Sequence, residues 1–353
     1  MMSKFFDSKY KSLTPYTPGE QPQDMKYTKL NTNESPFLVS EKSKQYVLEE
    51  IEKLQLYPDP DCKVLTQKIA DYYGVDAQNV LLTNGSDEIL NFAFMAFCEN
   101  GAAFPDITYG FYSVFALLNG VNYTEFPLND DFTVNLDDYI NTDKTVFLAN
   151  PNAPTGIALS LSQIESILVA NPERLVVIDE AYVDFGADSA VNLTKKYDNL
   201  LVFHTFSKSR SLAGGRLGYG IGNKELIRDL NTIKYSTNPY NINRLSAAAG
   251  LGMLEDDKYV RDNCKKIIDN RKYTEQKLAE LGFTFTNSLA NFIFAKHPQI
   301  SGKEIYLELK KRGVLVRHFD KERLTEYNRI TIGTKEQMDI LLDALKQILE
   351  EKI

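Results

Sequence analysis

Four short polar clusters in this 353-residue chain hold the side chains that could do chemistry, and each follows an apolar run. Asn84-Gly85-Ser86-Asp87 comes after Val80–Thr83, where a strand would turn into a helix. The free N–H groups and dipole of such a helix start suit a phosphate. Asn150-Pro151-Asn152-Ala153-Pro154-Thr155-Gly156 makes a rigid turn after Thr145–Ala149. Asp179-Glu180-Ala181-Tyr182 ends an apolar run, and Thr205-Phe206-Ser207-Lys208 ends another, with Arg216 a few residues further on. A lysine taken alone is a solvated surface charge in most proteins. Lys208 leaves that default only through its company.

Together the clusters offer a phosphate cradle, a lysine, an arginine and an aspartate, each at the carboxyl end of an apolar strand, where open α/β sheets gather their ligands. A pyridoxal phosphate site asks for those parts. It needs a lysine to carry the cofactor as a Schiff base and a carboxylate opposite the pyridine nitrogen. It also needs cationic and N–H donors for the phosphate. An aspartate facing the ring nitrogen keeps it protonated, and the protonated ring draws electrons from the substrate carbon. Other chemistries lack their parts. The histidines (His204, His297, His318) are scattered, so no metal is expected. No serine sits in a G-x-S-x-G elbow. Gly218-x-Gly220-x-Gly222 has the spacing of a dinucleotide loop but falls inside a strand candidate.

In this order and spacing, NPNAPTG, DEAY and SKSRSLAGGRLGYG resemble the class I and II aminotransferases of the aspartate aminotransferase fold, over nearly the whole chain. PYTPGEQP, LNTNESPF, YPDP, TNGSDE and DITYGFY are similar, more narrowly, to the histidinol-phosphate aminotransferases. The resemblance implies a role for each matching position. Lys208 would bind pyridoxal phosphate and then move the substrate proton, with Asp179 on the pyridine nitrogen. Tyr182 and Asn152 would meet the ring hydroxyl, and Tyr109 would stack on the ring. Ser86, Asp87, Thr205, Ser207 and Arg216 would hold the phosphate. Tyr57 would reach the phosphate of a neighbouring subunit, which implies a homodimer with shared sites. Arg329, Arg317, Tyr16 and Asn33 would contact the substrate. Two departures stand out. Ala153 replaces a second Asn, and Ser209-Arg210-Ser211 adds a charge beside the expected site.

Elements must position these groups. Strands are expected at Val80–Thr83, Val121–Pro127, Thr145–Ala149, Leu175–Asp179, Leu200–Thr205 and Arg216–Ile221, alternating with helices. Near-continuous apolar strands between helices read as a mostly parallel sheet covered on both faces. Helices are expected over residues 41–54 and from Cys62 to Tyr73, where Gly74 sits at the C-terminal cap. Capping boxes at Ser160-x-x-Gln163 and Thr334-x-x-Gln337 mark two more helix starts. After about residue 250 the pattern changes. A long charged helix over residues 255–281 precedes strands at Phe292–Ala295, Val314–Arg317 and Arg329–Ile332. The last helix should turn Met338, Leu341, Leu342, Leu345 and Leu349 inward. The fold class expected is α/β, that of a fold-type I pyridoxal-phosphate transferase. Residues 41–250 would form the large cofactor-binding domain and 251–353 a smaller α+β domain. Residues 1–40 would supply an N-terminal arm and complete the small domain.

The net charge of −8 argues against a nucleic-acid or acidic-membrane partner, and no apolar run approaches the ~20 residues of a membrane span. Three widely spaced cysteines (Cys62, Cys98, Cys264) suggest no disulfide framework, and the N-terminus lacks an apolar signal segment. A cytoplasmic enzyme acting on small molecules is expected, with histidinol phosphate as amino donor and 2-oxoglutarate as acceptor. Rivals on the same fold are a threonine-phosphate decarboxylase and an aromatic amino-acid aminotransferase. A cofactor-binding regulator or an inactive homologue is the non-enzyme alternative.

Overall fold

The computed structural model describes residues 3–11 and 13–353. Seven strands form one sheet in the order Val80–Thr83, Gly218–Gly222, Leu200–Thr205, Val176–Asp179, Thr145–Ala149, Ala102–Pro105 and Tyr123–Phe126. Gly218–Gly222 runs antiparallel to both its neighbours, and the remaining pairs are parallel.

The central strands are buried at every position, so their alternating side chains need cover on both faces. Val146, Leu148, Val176, Ile178, Leu200 and Val202 enter one core. Phe147, Val177, Leu201 and Phe203 enter a second, under the helices Ser86–Phe97, Phe111–Asn119 and Lys224–Thr237. In the second core Phe94 stacks on Phe147 with 4.2 Å between ring centres. Burying a side chain of this size contributes roughly 1.5–3 kcal/mol. The register then aligns the strand ends that carry the polar clusters, with Ala149 opposite Asp179 and Asp179 opposite Phe203.

A second, antiparallel sheet joins Arg317–His318, Asn328–Thr331, Phe292–Lys296 and Thr284–Phe285. The helices Asp257–Glu280, Gly302–Lys311 and Lys335–Lys352 belong to the same region. Thr28–Lys29 pairs in parallel with Val314–Leu315 and ties the N-terminal segment to it. Residues 14–22 form neither helix nor strand.

Both capping boxes close, with each Ser or Thr side chain accepting from the backbone N–H of the Gln three residues on. Gly74 caps its helix in the left-handed conformation at φ +62°. Some elements differ from expectation. Ala102–Pro105 is a fully buried strand that two alanines and a proline disguised. The final helix buries Ile348 and leaves Leu349 half-buried, a shift of one position in the last turn. Val314–Arg317 is two short strands, Val314–Leu315 and Arg317–His318, that pair in different sheets. All three cysteines are free and buried. Among the described residues, no helix is long and apolar enough to cross a membrane.

Candidate active site

Two glycines create the anion-binding end of the site. Gly85 precedes the helix Ser86–Phe97 at φ +78°, and a Cβ there would lie 2.7 Å from Arg216 Nη2. Glycine therefore lets the guanidinium reach the helix start. From the neighbouring strand, a Cβ on Gly218 would lie 2.5 Å from the Ser86 backbone nitrogen. The helix start, Arg216 and the residues Ser86, Thr205 and Ser207 line one end of a cavity of about 390 Å³. Unpaired N–H groups, hydroxyls and a cation make that end suited to a phosphate.

Asp87 belongs to this end in a different way from the one expected. Its carboxylate accepts from Arg216 Nη2 at 3.1 Å and from the Tyr109 hydroxyl at 2.7 Å. An ionised carboxylate only accepts, so it adds no direct bond to an anion. It holds Arg216 and Tyr109 in place, and only its backbone N–H is available to a phosphate.

Asp179 lines the same cavity. Burial pushes its carboxyl up to about 7, against an ordinary value of 3.8. The Ala181 N–H at 3.0 Å and the Tyr112 hydroxyl at 3.3 Å orient it. Glu180 has a separate set of partners: the Ser189 hydroxyl, the Ala190 N–H and His204, 3.1 Å away. Of the two adjacent acids, Asp179 alone lines the cavity.

Lys208 lines the same cavity, half-buried in the turn after Leu200–Thr205. Its Nζ donates to the Thr32 carbonyl at 3.3 Å and lies 5.8 Å from the centre of the Tyr182 ring. Asn152 is buried and lines neither this cavity nor the next, its amide donating to the Ile107 carbonyl and the Thr155 hydroxyl and accepting from the Thr108 hydroxyl at 2.8 Å.

Lys208, Tyr109 and Tyr182 also line a second cavity of about 460 Å³, with Tyr16, Asn33, Arg317 and Arg329. Arg317 and Arg329 are direct cross-strand partners. Like charges opposite each other repel unless an anion lies between them. Among the described residues, neither guanidinium has a carboxylate as a hydrogen-bond partner. Arg317 donates to the Thr17 and Pro18 carbonyls, and Arg329 to the Asn31 carbonyl at 3.1 Å. Both guanidiniums lie over the Phe319 ring, at 5.5 and 5.8 Å. Burial pushes Arg329 below its ordinary pKa, and its Nε has no partner among the described residues. Asn33 is in this cavity, but its side chain is already bonded to Tyr182 and Thr331.

Tyr57 is not brought to the site. It is 79% exposed and stacks on Tyr240, with ring centres 4.6 Å apart. The charge that Arg210 adds does not face the site either. Its guanidinium is buried against the Tyr72 and Phe206 rings, 3.6 Å from Asp257. Sequence reasoning missed Tyr112 and Thr108. Tyr112 follows Tyr109 by three residues, a spacing that could have placed it on the same side. Thr108 carried no signal of its own.

With this geometry in place, comparison with known proteins is direct. The model of the aminotransferase class I and II family matches residues 25–345. A histidinol-phosphate aminotransferase of Brachyspira hyodysenteriae is 51% identical, covering 99% of this chain and 100% of the relative. The crystal structure of histidinol-phosphate aminotransferase from Sinorhizobium meliloti, in complex with pyridoxal-5'-phosphate, superposes with a TM-score of 0.90 at 23% identity, covering 99% of both chains. That from Clostridium acetobutylicum gives 0.85 at 26% identity, covering 92% of this chain and 99% of that one. The chain belongs to the class I and II aminotransferase family.

Proposed function

We propose that this chain transfers the amino group of L-histidinol phosphate to 2-oxoglutarate, working as a cytoplasmic homodimer. The enzyme is a pyridoxal-phosphate-dependent transaminase. The observation that carries the assignment is a cavity lined at once by Lys208, an anion cradle and a buried carboxylate. Its residues fit the cofactor. Asp179 is buried and held by two neutral donors, so a cationic ring N–H is the partner its environment favours. The Arg216 and helix-start cluster suits a phosphate, and the lysine shares the cavity with both.

When bound, pyridoxal phosphate supplies an electrophilic carbon for the amine and an electron sink for the substrate's α-carbon. The chain's own residues do the rest. Asp179 holds the proton on the ring nitrogen. Tyr182 and Asn152 orient the ring oxygen, and Tyr109 covers a ring face. Ser86, Thr205, Ser207 and Arg216 hold the phosphate, with Asp87 fixing Arg216. The Lys208 amine takes the α-proton of the substrate and hands it on. Tyr57 serves the neighbouring subunit's site, which accounts for an exposed tyrosine that lines neither cavity of its own chain. In this scheme residues 41–250 are the cofactor domain, and 251–353 with 1–40 carry the substrate contacts.

Substrate class follows from Arg317 and Arg329. Two cross-strand guanidiniums without carboxylate partners call for a strongly charged anion, and a phosphate monoester offers the oxygens to engage both. The names of the close relatives add the imidazole-bearing amino alcohol. Replacing Lys208→Ala should abolish turnover while the unfolding transition stays near the wild type. A variant with near-normal turnover would end the assignment.

A further inference from the structure

Four consecutive carbonyls of the segment 30–33 accept from three different parts of the protein. Leu30 O takes the Thr331 N–H at 3.0 Å and Asn31 O takes Arg329 Nη2 at 3.1 Å. Thr32 O takes Lys208 Nζ at 3.3 Å and Asn33 O takes Asn291 Nδ2 at 3.0 Å. The segment thus joins the strand Asn328–Thr331 to the lysine beside the seven-stranded sheet. Asn33 is buried in the left-handed region at φ +56°, which Asn tolerates better than most residues.

Proton positions here follow from one unambiguous donor. The Asn33 backbone N–H can only donate, and it donates to Thr331 Oγ1 at 3.0 Å. The Thr331 hydroxyl proton then goes to Asn33 Oδ1 at 2.9 Å. With Oδ1 so engaged, Asn33 presents Nδ2 to the Tyr182 hydroxyl at 2.9 Å, and an amide NH₂ only donates. The Tyr182 oxygen accepts, so its own proton is left for an acceptor in the cavity. A flipped Asn33 amide would reverse this, with Oδ1 drawing the Tyr182 proton to itself. The flip would also strand the hydroxyl proton of Thr331, a residue only 2% exposed.

We propose that Thr331, acting through Asn33, is a positioning residue that reserves the Tyr182 hydroxyl as a hydrogen-bond donor to the ring oxygen of the bound cofactor. This rests on the cofactor assignment above. Thr331 lines neither cavity. Lys208, Arg329, Tyr109 and Tyr112 lie near Tyr182, Asp87, Asp179 and Arg216 line the same cavity, and a substitution at Thr331 changes none of these side chains.

The test is a pH titration of the bound cofactor's visible absorbance in the holoenzyme. A donor to the ring oxygen favours its anionic form, so losing that donor moves the midpoint up. Thr331→Val keeps the shape without the hydroxyl and should raise the midpoint by about half to one pH unit, the size of one net hydrogen bond. Thr331→Ser keeps the hydroxyl and should titrate near the wild type. Should Thr331→Val not yield holoenzyme, Asn33→Asp decides. It lacks the amide donor and its added charge pushes the same way, so a midpoint that does not rise there overturns the role. An unmoved midpoint in coloured Thr331→Val, or an equal rise in Thr331→Ser, also overturns it. A wild-type protein that takes up no cofactor would instead remove the cofactor assignment beneath it.

Discussion

Replacing Asp179 by Asn should stabilise the cofactor-free protein at high pH while disabling the loaded enzyme. Burial raises the Asp179 carboxyl from 3.8 to about 7, so the folded state holds this proton more tightly than the unfolded one. No penalty exists below about pH 4, where both states are protonated. The folded protein then loses stability as pH rises through this window, and the full cost is present above about pH 7. A difference of about 3 pH units corresponds to about 4 kcal/mol at 1.36 kcal/mol per unit. Between about pH 5 and about pH 8 the wild type should lose about 3 kcal/mol that Asp179→Asn does not. The cost of burying the Asn amide is the same at both pH values and cancels. Urea unfolding of the cofactor-stripped proteins at one protein concentration reads this difference directly. A stability gap between variant and wild type that is equal at both pH values would refute the reasoning. The loaded variant should show a rate lower by orders of magnitude, since Asn cannot hold a ring proton as a carboxylate does.

The other expectations concern the cofactor's phosphate end. A methyl group at Gly218→Ala would meet the Ser86 backbone at 2.5 Å. Making room for it costs about 1–3 kcal/mol and opens the cradle, so cofactor affinity measured by equilibrium dialysis should fall by about tenfold or more. Tyr57 tests the shared site. Lys208→Ala homodimers should be inactive and Tyr57→Ala homodimers weakened, with little change in folding because Tyr57 is exposed. Mixed dimers would contain one site with both residues intact, so activity should reappear on mixing. Absence of recovery in verified mixed dimers would contradict an intersubunit role for Tyr57.

Much of the fold is legible in the sequence where one local signal decides. Val80–Thr83, Thr145–Ala149 and Leu200–Thr205 are mostly apolar and buried throughout because both faces are covered, and their bounds read directly. The two capping boxes and Gly74 are equally local. Ala102–Pro105 is hidden because its small residues pack well yet carry little strand propensity. At the site, residue types next to strands point to Asp179, Lys208 and Arg216, and all three line one cavity. Their partners are less legible. The sequence does not show that the Asp87 carboxylate holds Arg216 and Tyr109, leaving its backbone N–H for a phosphate. Arg210 looks like a charge in the site until its side chain is traced to Asp257. The Asn33–Thr331 pair spans 298 positions, and the opposition of Arg317 and Arg329 depends on strand register. Register of that kind comes from tertiary packing, which no local pattern encodes.

The most direct test of the central claim is a titration of the purified, cofactor-loaded protein with L-histidinol phosphate, following the visible band of the cofactor. The band should fall as the amino group is taken up, with no carbon dioxide released, and 2-oxoglutarate should restore it. A coloured protein whose band L-histidinol phosphate leaves unchanged would contradict the assigned substrate, and a protein that binds no pyridoxal phosphate would contradict the account as a whole.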